Sequence, residues 1–242
     1  MVLFVDEMNQ GSFEKLDKRV FLLPVGSVEP HGEHLPLGTD TIIAEALAKA
    51  VSDRKGWPVL PAIQYGFIYG LRDHPGSISI PEELLQDVII SLARQLKSYG
   101  ASCIAIINCH IPNSPPINQA LFKLLVREQI RGINLTFPGY EEAYSKFCES
   151  KLWMPGIFHA EELETSLMLF VNKSLVKMEK AVRNYPLPPK TFGFYPHSWK
   201  SFSNLSIVGD PTLATEEKGA KLFEFFVTKI IDLISDFQNY LS

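Results

Sequence analysis

Cysteine is scarce in this chain, and like charge is nowhere concentrated. Three cysteines occur among 242 residues, Cys103, Cys109 and Cys148. They form no CxxC pair and cannot all be paired with one another, which excludes a disulfide framework and favours a reducing, cytoplasmic setting. No apolar run approaches the ~18 residues of a membrane span. No Lys/Arg cluster accompanies the net charge of −4, so nothing favours nucleic acid, whose binding needs a concentrated basic face. The first 20 residues include Asp6, Glu7, Glu14, Lys15, Asp17, Lys18 and Arg19 and do not read as a secretory signal. Internal repeats and low-complexity stretches are also missing. With 46% hydrophobic and 21% charged residues, the composition is that of an ordinary soluble globular protein.

Histidine is sparse as well, but its placement is informative. Five of the six histidines (His31, His34, His74, His110, His159, His197) fall in Gly/Pro-punctuated or strand-end segments. The densest stretch is FLLPVGSVEPHGEHLPLGTD, residues 21–40. Its apolar run from Phe21 to Val25 closes at Gly26 and reads as a buried strand ending in a loop, the place where α/β sheets carry ligands. Glu29 and His31 are two apart, so both leave the same face of an extended segment. With Asp40 close behind, they are the makings of a site for zinc, iron or manganese.

The remaining pattern predicts alternating strands and helices. Residues 1–19 read as a polar lead-in or first helix, and a helix follows from Asp40 to Gly56, with Thr39 or Asp40 as its cap. A strand-like piece spans Val59 to Ile63, and a loop with a short β segment covers FIYGLRDHPGSISI. Pro81 opens a helix that Gly100 closes, and the apolar run CIAIINCH is a strand covered on both faces. Then come a helix at about 114–131, strand INLTF, a polar helix at 139–151, a helix at 161–171, a long loop at 184–210 and a last helix at about 214–240. The order predicts one α/β domain over residues 1–242, a three-layer α/β/α sandwich on a mainly parallel sheet. The 184–210 loop exceeds usual connections, and such loops are commonly functional or oligomer-forming.

His110 ends the strand 103–108, where a ligand-type side chain points into the crevice of an α/β sheet. Taken alone it is equally a hydrogen-bonded structural His. Beside Glu29, His31 and Asp40 at another strand end, it favours a metal.

The segment GSVEPHGEHLPLGTD resembles the opening signature of the creatininase (creatinine amidohydrolase) family, close to GS-x-E-Q-H-G-P-H-L-P-x-x-T-D. It departs at Pro30 and Glu33, neither of which removes a ligand-type side chain. NCHIPN resembles N-G-H-G-G-N at Asn108, His110 and Asn113. FHAEELETS resembles H-A-G-x-x-E-T-S at His159, Glu164, Thr165 and Ser166, with Glu161 in the usual Gly place. RDHPGSISI and SIVGDPTLATEEKG match two further family segments, so five motifs run in order over residues 20–222. The family includes cyclic-amide hydrolases, an archaeal formamidopyrimidine nucleotide deformylase and peptidases of peptide-derived cofactor pathways.

This resemblance implies a metal-dependent amidohydrolase that cleaves a C–N bond of a small cyclic amide or formamide. It implies two divalent ions, with Asp40 bridging, Glu29 and His110 completing one site, and His31 and Glu164 the other. His159 would be the general acid, and the catalytic roles fall to His159 and Glu164. In creatininase proper the position of Pro112 is a metal-binding Glu. Pro has no donor, and Glu164 is the expected replacement, with Glu161 as the competing carboxylate; the bland reading of Glu161 and Glu162 is an acidic helix start. His34 is expected to orient a ligand carboxylate and His74 to stand in the pocket wall. The family also suggests a homo-oligomer, a hexamer, with Trp153, Trp199 and the aromatics of 192–199 at an interface or pocket lid, core packing being the alternative for Trp153. Three readings compete: a nucleotide deformylase with phosphate on Arg72, Lys190 or Lys200, a Cys109 nucleophile, and a non-catalytic metal-binding or assembly protein.

Overall fold

The computed structural model describes residues 2–17 and 19–241; Met1, Lys18 and Ser242, which the readings of 1–19 and 1–242 include, lie outside them. The expected lead-in is a short helix, α1 (Gln10–Glu14), whose Asn9 side chain accepts from Ser12 N–H. Three strands, β1 (Val20–Val25), β2 (Cys103–Asn108) and β3 (Gly132–Thr136), form a parallel sheet in that order. Adjacent strand residues face opposite sides. Val20, Leu22, Ala105 and Ile107 therefore join one apolar cluster, whereas Phe21, Leu23, Val25, Ile104 and Ile106 join another.

Helices α2 (Thr39–Lys55), α5 (Tyr140–Phe147), α6 (Glu162–Asn172) and α7 (Glu216–Leu241) fill the first cluster. Helices α3 (Glu82–Ser98) and α4 (Ser114–Glu128) fill the second. The result is the three-layer α/β/α arrangement that the apolar runs predict. No helix among the described residues is long and apolar enough to cross a membrane.

Local departures have physical causes. Residues 58–63 run beside β1, with Leu60 N–H on the Leu22 carbonyl at 2.9 Å and Ile63 N–H on that of Pro24 at 3.0 Å, yet pair only at isolated points. Pro24, Pro58 and Pro61 supply no N–H, so a regular ladder cannot form. The β segment expected near 77–80 is absent as a strand; Ile78 and Ile80 each make a single backbone bond, to Val28 and Gly66. Helix α5 stops at Phe147 instead of 151, because the chain turns to give the N–H groups of Glu149 and Ser150 to the buried Glu162 carboxylate.

Two features bring the site together. Gly26 ends β1 where a Cβ would collide with Thr41, so only glycine lets α2 approach this closely. That approach carries Asp40, in the first turn of α2, over the end of the sheet. Helix α2 is capped at Gly38 without a side-chain bond; the carboxylate of Asp40 points into the site and does not cap, contrary to one of its two expected roles.

Candidate metal centre

Three segments converge beyond the strand ends: the loop after β1 together with the first turn of α2, the residues just past β2, and the stretch that leads into the first turn of α6. They contribute Glu29, His31 and Asp40, then His110, then His159 and Glu164, all buried. Their ligand-type atoms form three overlapping groups, each within 4.8 Å: Glu29, Asp40 and His110; His31, Asp40 and Glu164; Glu29, His31 and His159. Asp40 belongs to two of them, and its oxygens divide between them. Oδ1 lies 3.0 Å from His31 Nε2, and Oδ2 lies 3.1 Å from His110 Nδ1. Ser27 Oγ donates to Oδ2 at 2.7 Å and fixes the carboxylate.

Each histidine has one ring nitrogen committed to the backbone. His31 Nδ1–H donates to the Glu29 carbonyl at 3.0 Å, His110 Nε2–H to that of Phe67 at 3.0 Å, and His159 Nε2–H to that of Pro30 at 2.8 Å. A carbonyl only accepts, so the other nitrogen of each neutral ring carries the lone pair. Those nitrogens face carboxylates: His110 Nδ1 is 3.0 Å from Glu29 Oε1, and His159 Nδ1 is 3.5 Å from it. At His31 and His110, where the separation is 3.0 Å, a lone pair set against a carboxylate oxygen needs a cation between them, a proton or a metal. Metal-ligating histidines in general have their distal N–H fixed in this way. The donor set therefore fits divalent metal, with Asp40 common to two of the groups that could hold it.

In the metal-free protein, protons take the cations' place. Burial opposes charge on His31, but Asp40 outweighs it and raises the ring to about 9. Burial likewise opposes charge on His110, which Glu29 and Asp40 hold protonated well above the usual imidazole range. Burial would raise Asp40 and Glu29, yet the neighbouring imidazoles lower both. Glu164 goes the other way, to about 8, through burial despite His31, with Asp40 and Glu161 adding repulsion. Metal uptake must displace these protons. Apparent zinc affinity is thus expected to rise by about tenfold per pH unit for each proton displaced between pH 6 and 8. Calorimetric titration in buffers of different ionisation enthalpy would count the protons, and an affinity flat with pH would contradict the assignment.

Other expected residues find different places. His34 Nε2 meets Thr165 Oγ1 at 3.0 Å, tying the β1 loop to α6 next to Glu164 rather than touching a ligand carboxylate. His74 is buried but does not line the cavity, so it is no pocket wall. Glu161 caps α6, accepting from Leu163 N–H at 3.0 Å and Glu164 N–H at 3.3 Å, and Glu162 holds Lys218. Pro112 lines the cavity without a donor. Cys109 also lines it, but burial first, then Asp40 and Glu164, push its thiol well above the ordinary range. A thiol held protonated is a poor nucleophile, which weighs against the Cys109 reading.

The centre opens into a cavity of about 380 Å³, at the small end for ligand sites. Its rim comes from the 184–210 loop: Phe192, Tyr195 and Trp199 line it, and Trp153 packs behind, with ring centroids 5.4 Å from Phe192 and 5.9 Å from Trp199. What sequence reading missed was the backbone part of the centre, the carbonyls of Phe67 and Pro30, and the Ala160 N–H that donates to Glu164 Oε2 at 2.5 Å. Ala160 takes φ 51°, a left-handed conformation unusual for a non-glycine residue. The Gly usual at the next position was the only sequence hint of an unusual backbone here.

Comparison with known proteins agrees with this geometry. The chain is 28% identical to the creatinine amidohydrolase of Pseudomonas putida, over 97% of this chain and 96% of that one. It is 30% identical to the mycofactocin precursor peptide peptidase of Mycobacterium tuberculosis, over 85% and 80%. A solved variant creatininase of zinc–zinc type superposes with a TM-score of 0.83 at 26% identity, covering 98% of each chain. The family model described as creatinine amidohydrolase matches residues 6–234, and with so much of its length accounted for, the chain belongs to the creatininase family.

Proposed function

We propose that this protein is a metal-dependent amidohydrolase that opens a C–N bond of a small cyclic amide or formamide, using two divalent ions (zinc, iron or manganese) per chain. The observation that carries the reading is the three imidazoles, each anchored to a backbone carbonyl by one nitrogen and turned toward buried carboxylates by the other. Glu29, Asp40 and His110 would hold one ion, and His31, Asp40 and Glu164 the other. Bound there, divalent ions supply a water acidic enough to attack near neutral pH and polarise the amide carbonyl.

The chain's own residues do the rest. Burial, then the proximity of His31, lowers His159 to about 4, so the ring rests neutral with Nδ1 free to accept. It takes the proton released by the attacking water and passes it to the departing nitrogen, which cannot leave as an amide anion. Replacing His159 with alanine is therefore expected to lower kcat by about 10²–10⁴-fold while two ions per chain remain. Metal analysis alongside steady-state kinetics checks this, and loss of an ion would make His159 a ligand instead.

A second reading, the end of a peptide, is favoured by the similarity to a relative named as a precursor peptide peptidase and by the apolar walls of the cavity. The nucleotide reading is disfavoured: Arg72 donates to the carbonyls of Tyr69 at 2.9 Å and Pro196 at 2.7 Å, and neither Lys190 nor Lys200 lines the cavity. A screen of lactams, formamides and dipeptides with zinc- and manganese-loaded protein separates the readings. Full metal loading without turnover of any of them would favour the non-catalytic alternative. Family resemblance also supports a homo-oligomer, for which a sedimentation mass near the 27.2 kDa of one chain would be the contrary result.

A further inference from the structure

We propose, resting on the metal-centre reading above, that the substrate is an uncharged amide whose substituent is a flat aromatic group received by the Trp199 rim. Two observations carry this. The first is the charge of the cavity. Among the described residues no lysine or arginine lines it. Arg72, next in sequence to the lining residue Leu71, is committed to the carbonyls of Tyr69 and Pro196 and lies over the Tyr69 ring at 5.7 Å. Two divalent ions against Glu29, Asp40 and Glu164 would leave a single positive charge on the floor. That charge suits an amide oxygen gaining negative charge, and no partner remains for a second anion in the substrate. An unpaired buried anion is strongly disfavoured.

The second observation is the build of the wall. Tyr69, Ile111, Pro112, Phe192 and Trp199 line it. Trp199 is held in place from several sides. Its backbone N–H donates to the Gly70 carbonyl at 2.8 Å, and its indole sits where a Cβ on Gly70 would lie 2.8 Å from ring atoms, so only glycine admits it. Its ring lies near-perpendicular to that of His159, with centroids 6.0 Å apart, which puts an aromatic ring beside the position where the proton is delivered. At Pro112 a ring replaces the carboxylate that the resemblance leads one to expect, turning a polar wall apolar. A rigid aromatic surface beside the reacting atoms favours a ring over an alkyl group of similar size, through offset or edge contacts that aliphatic groups lack.

Three matched hydroxamates, which grip zinc whatever the protein hydrolyses, test the idea on zinc-loaded protein whose zinc content is measured on the same sample. Benzohydroxamate is expected to bind at least about tenfold tighter than acetohydroxamate, and 4-carboxybenzohydroxamate to lose that gain. Trp199→Ala should erase the benzo advantage with zinc content unchanged, and Trp199→Phe should keep most of it. Equal affinities for the first two ligands, tighter binding of the carboxylated one, or no binding to zinc-bearing protein would each overturn the inference. Protein that retains no zinc would bring down the metal reading itself, and this inference with it.

Discussion

Replacing Asp40 with asparagine is expected to empty both metal positions and to lower hydrolysis by about 10³-fold or more, the scale of losing an activated water. The reason is geometric: one oxygen faces His31 and the other faces His110, so one substitution neutralises a ligand of both ions. The metal-free protein should suffer too, because Asp40 is the shared counter-charge of two buried imidazoles. Breaking a buried ion pair from one side costs about 3–5 kcal/mol. The pH dependence follows from the two directions. Asp40 is lowered below its ordinary 3.8, so its contribution is present above that value and lost as pH falls through the folded value. His31 is raised from 6.5 to about 9, so its contribution is complete below 6.5 and lost as pH rises through 9. Thermal melts of chelator-treated wild-type and Asp40→Asn protein should therefore differ most between about pH 4 and 6.5 and converge toward pH 9. A gap that widened with pH would contradict the pairing.

Replacing Glu164 with glutamine should lower metal content from two ions to about one and abolish hydrolysis, since a neutral amide is a much poorer ligand. Here the metal-free protein should behave differently. Glu164 is pushed up from 4.5 to about 8, mainly by burial, so at pH 7 it already carries a proton, and glutamine is close to its isostere. A carboxyl raised in this way contributes stability that is complete below its unfolded value and is lost as pH rises through about 8. The variant should match the wild type below about pH 4.5, gain on it as pH rises toward about 8, and keep that advantage at pH 9. Glu161→Gln should keep both ions, because that carboxylate is turned back to cap α6 and bonds Leu163 and Glu164 N–H groups. Two ions retained by Glu164→Gln and one lost by Glu161→Gln would reverse the assignment.

Much of the architecture was legible because it rests on period and punctuation. The runs VFLLPV and CIAII are apolar at every position, as strands covered on both faces are, and the clusters on either side of the sheet bear this out. The piece at 59–63 reads as strand-like, but Pro61, with Pro58 before it and Pro24 on β1, spoils the ladder in a way the apolar pattern does not register. Within the site, Glu29, His31, Asp40, His110 and Glu164 could be named because each is a ligand-type side chain at a strand end or in a family-like segment. Their roles as ligands remain proposals. The carbonyls of Glu29, Pro30 and Phe67 that orient the rings could not be named, since every residue has a carbonyl and only the folded chain selects which ones face inward. The seat of Trp199 on Gly70 joins segments more than a hundred residues apart, and no local pattern announces it.

Anomalous diffraction at the zinc edge from zinc-loaded crystals reads the central claim most directly. Two peaks per chain are expected, one among Glu29, Asp40 and His110 and the other among His31, Asp40 and Glu164, with Asp40 common to both. A single peak, or a pair that leaves Asp40 or Glu164 uncoordinated, would contradict the dinuclear centre.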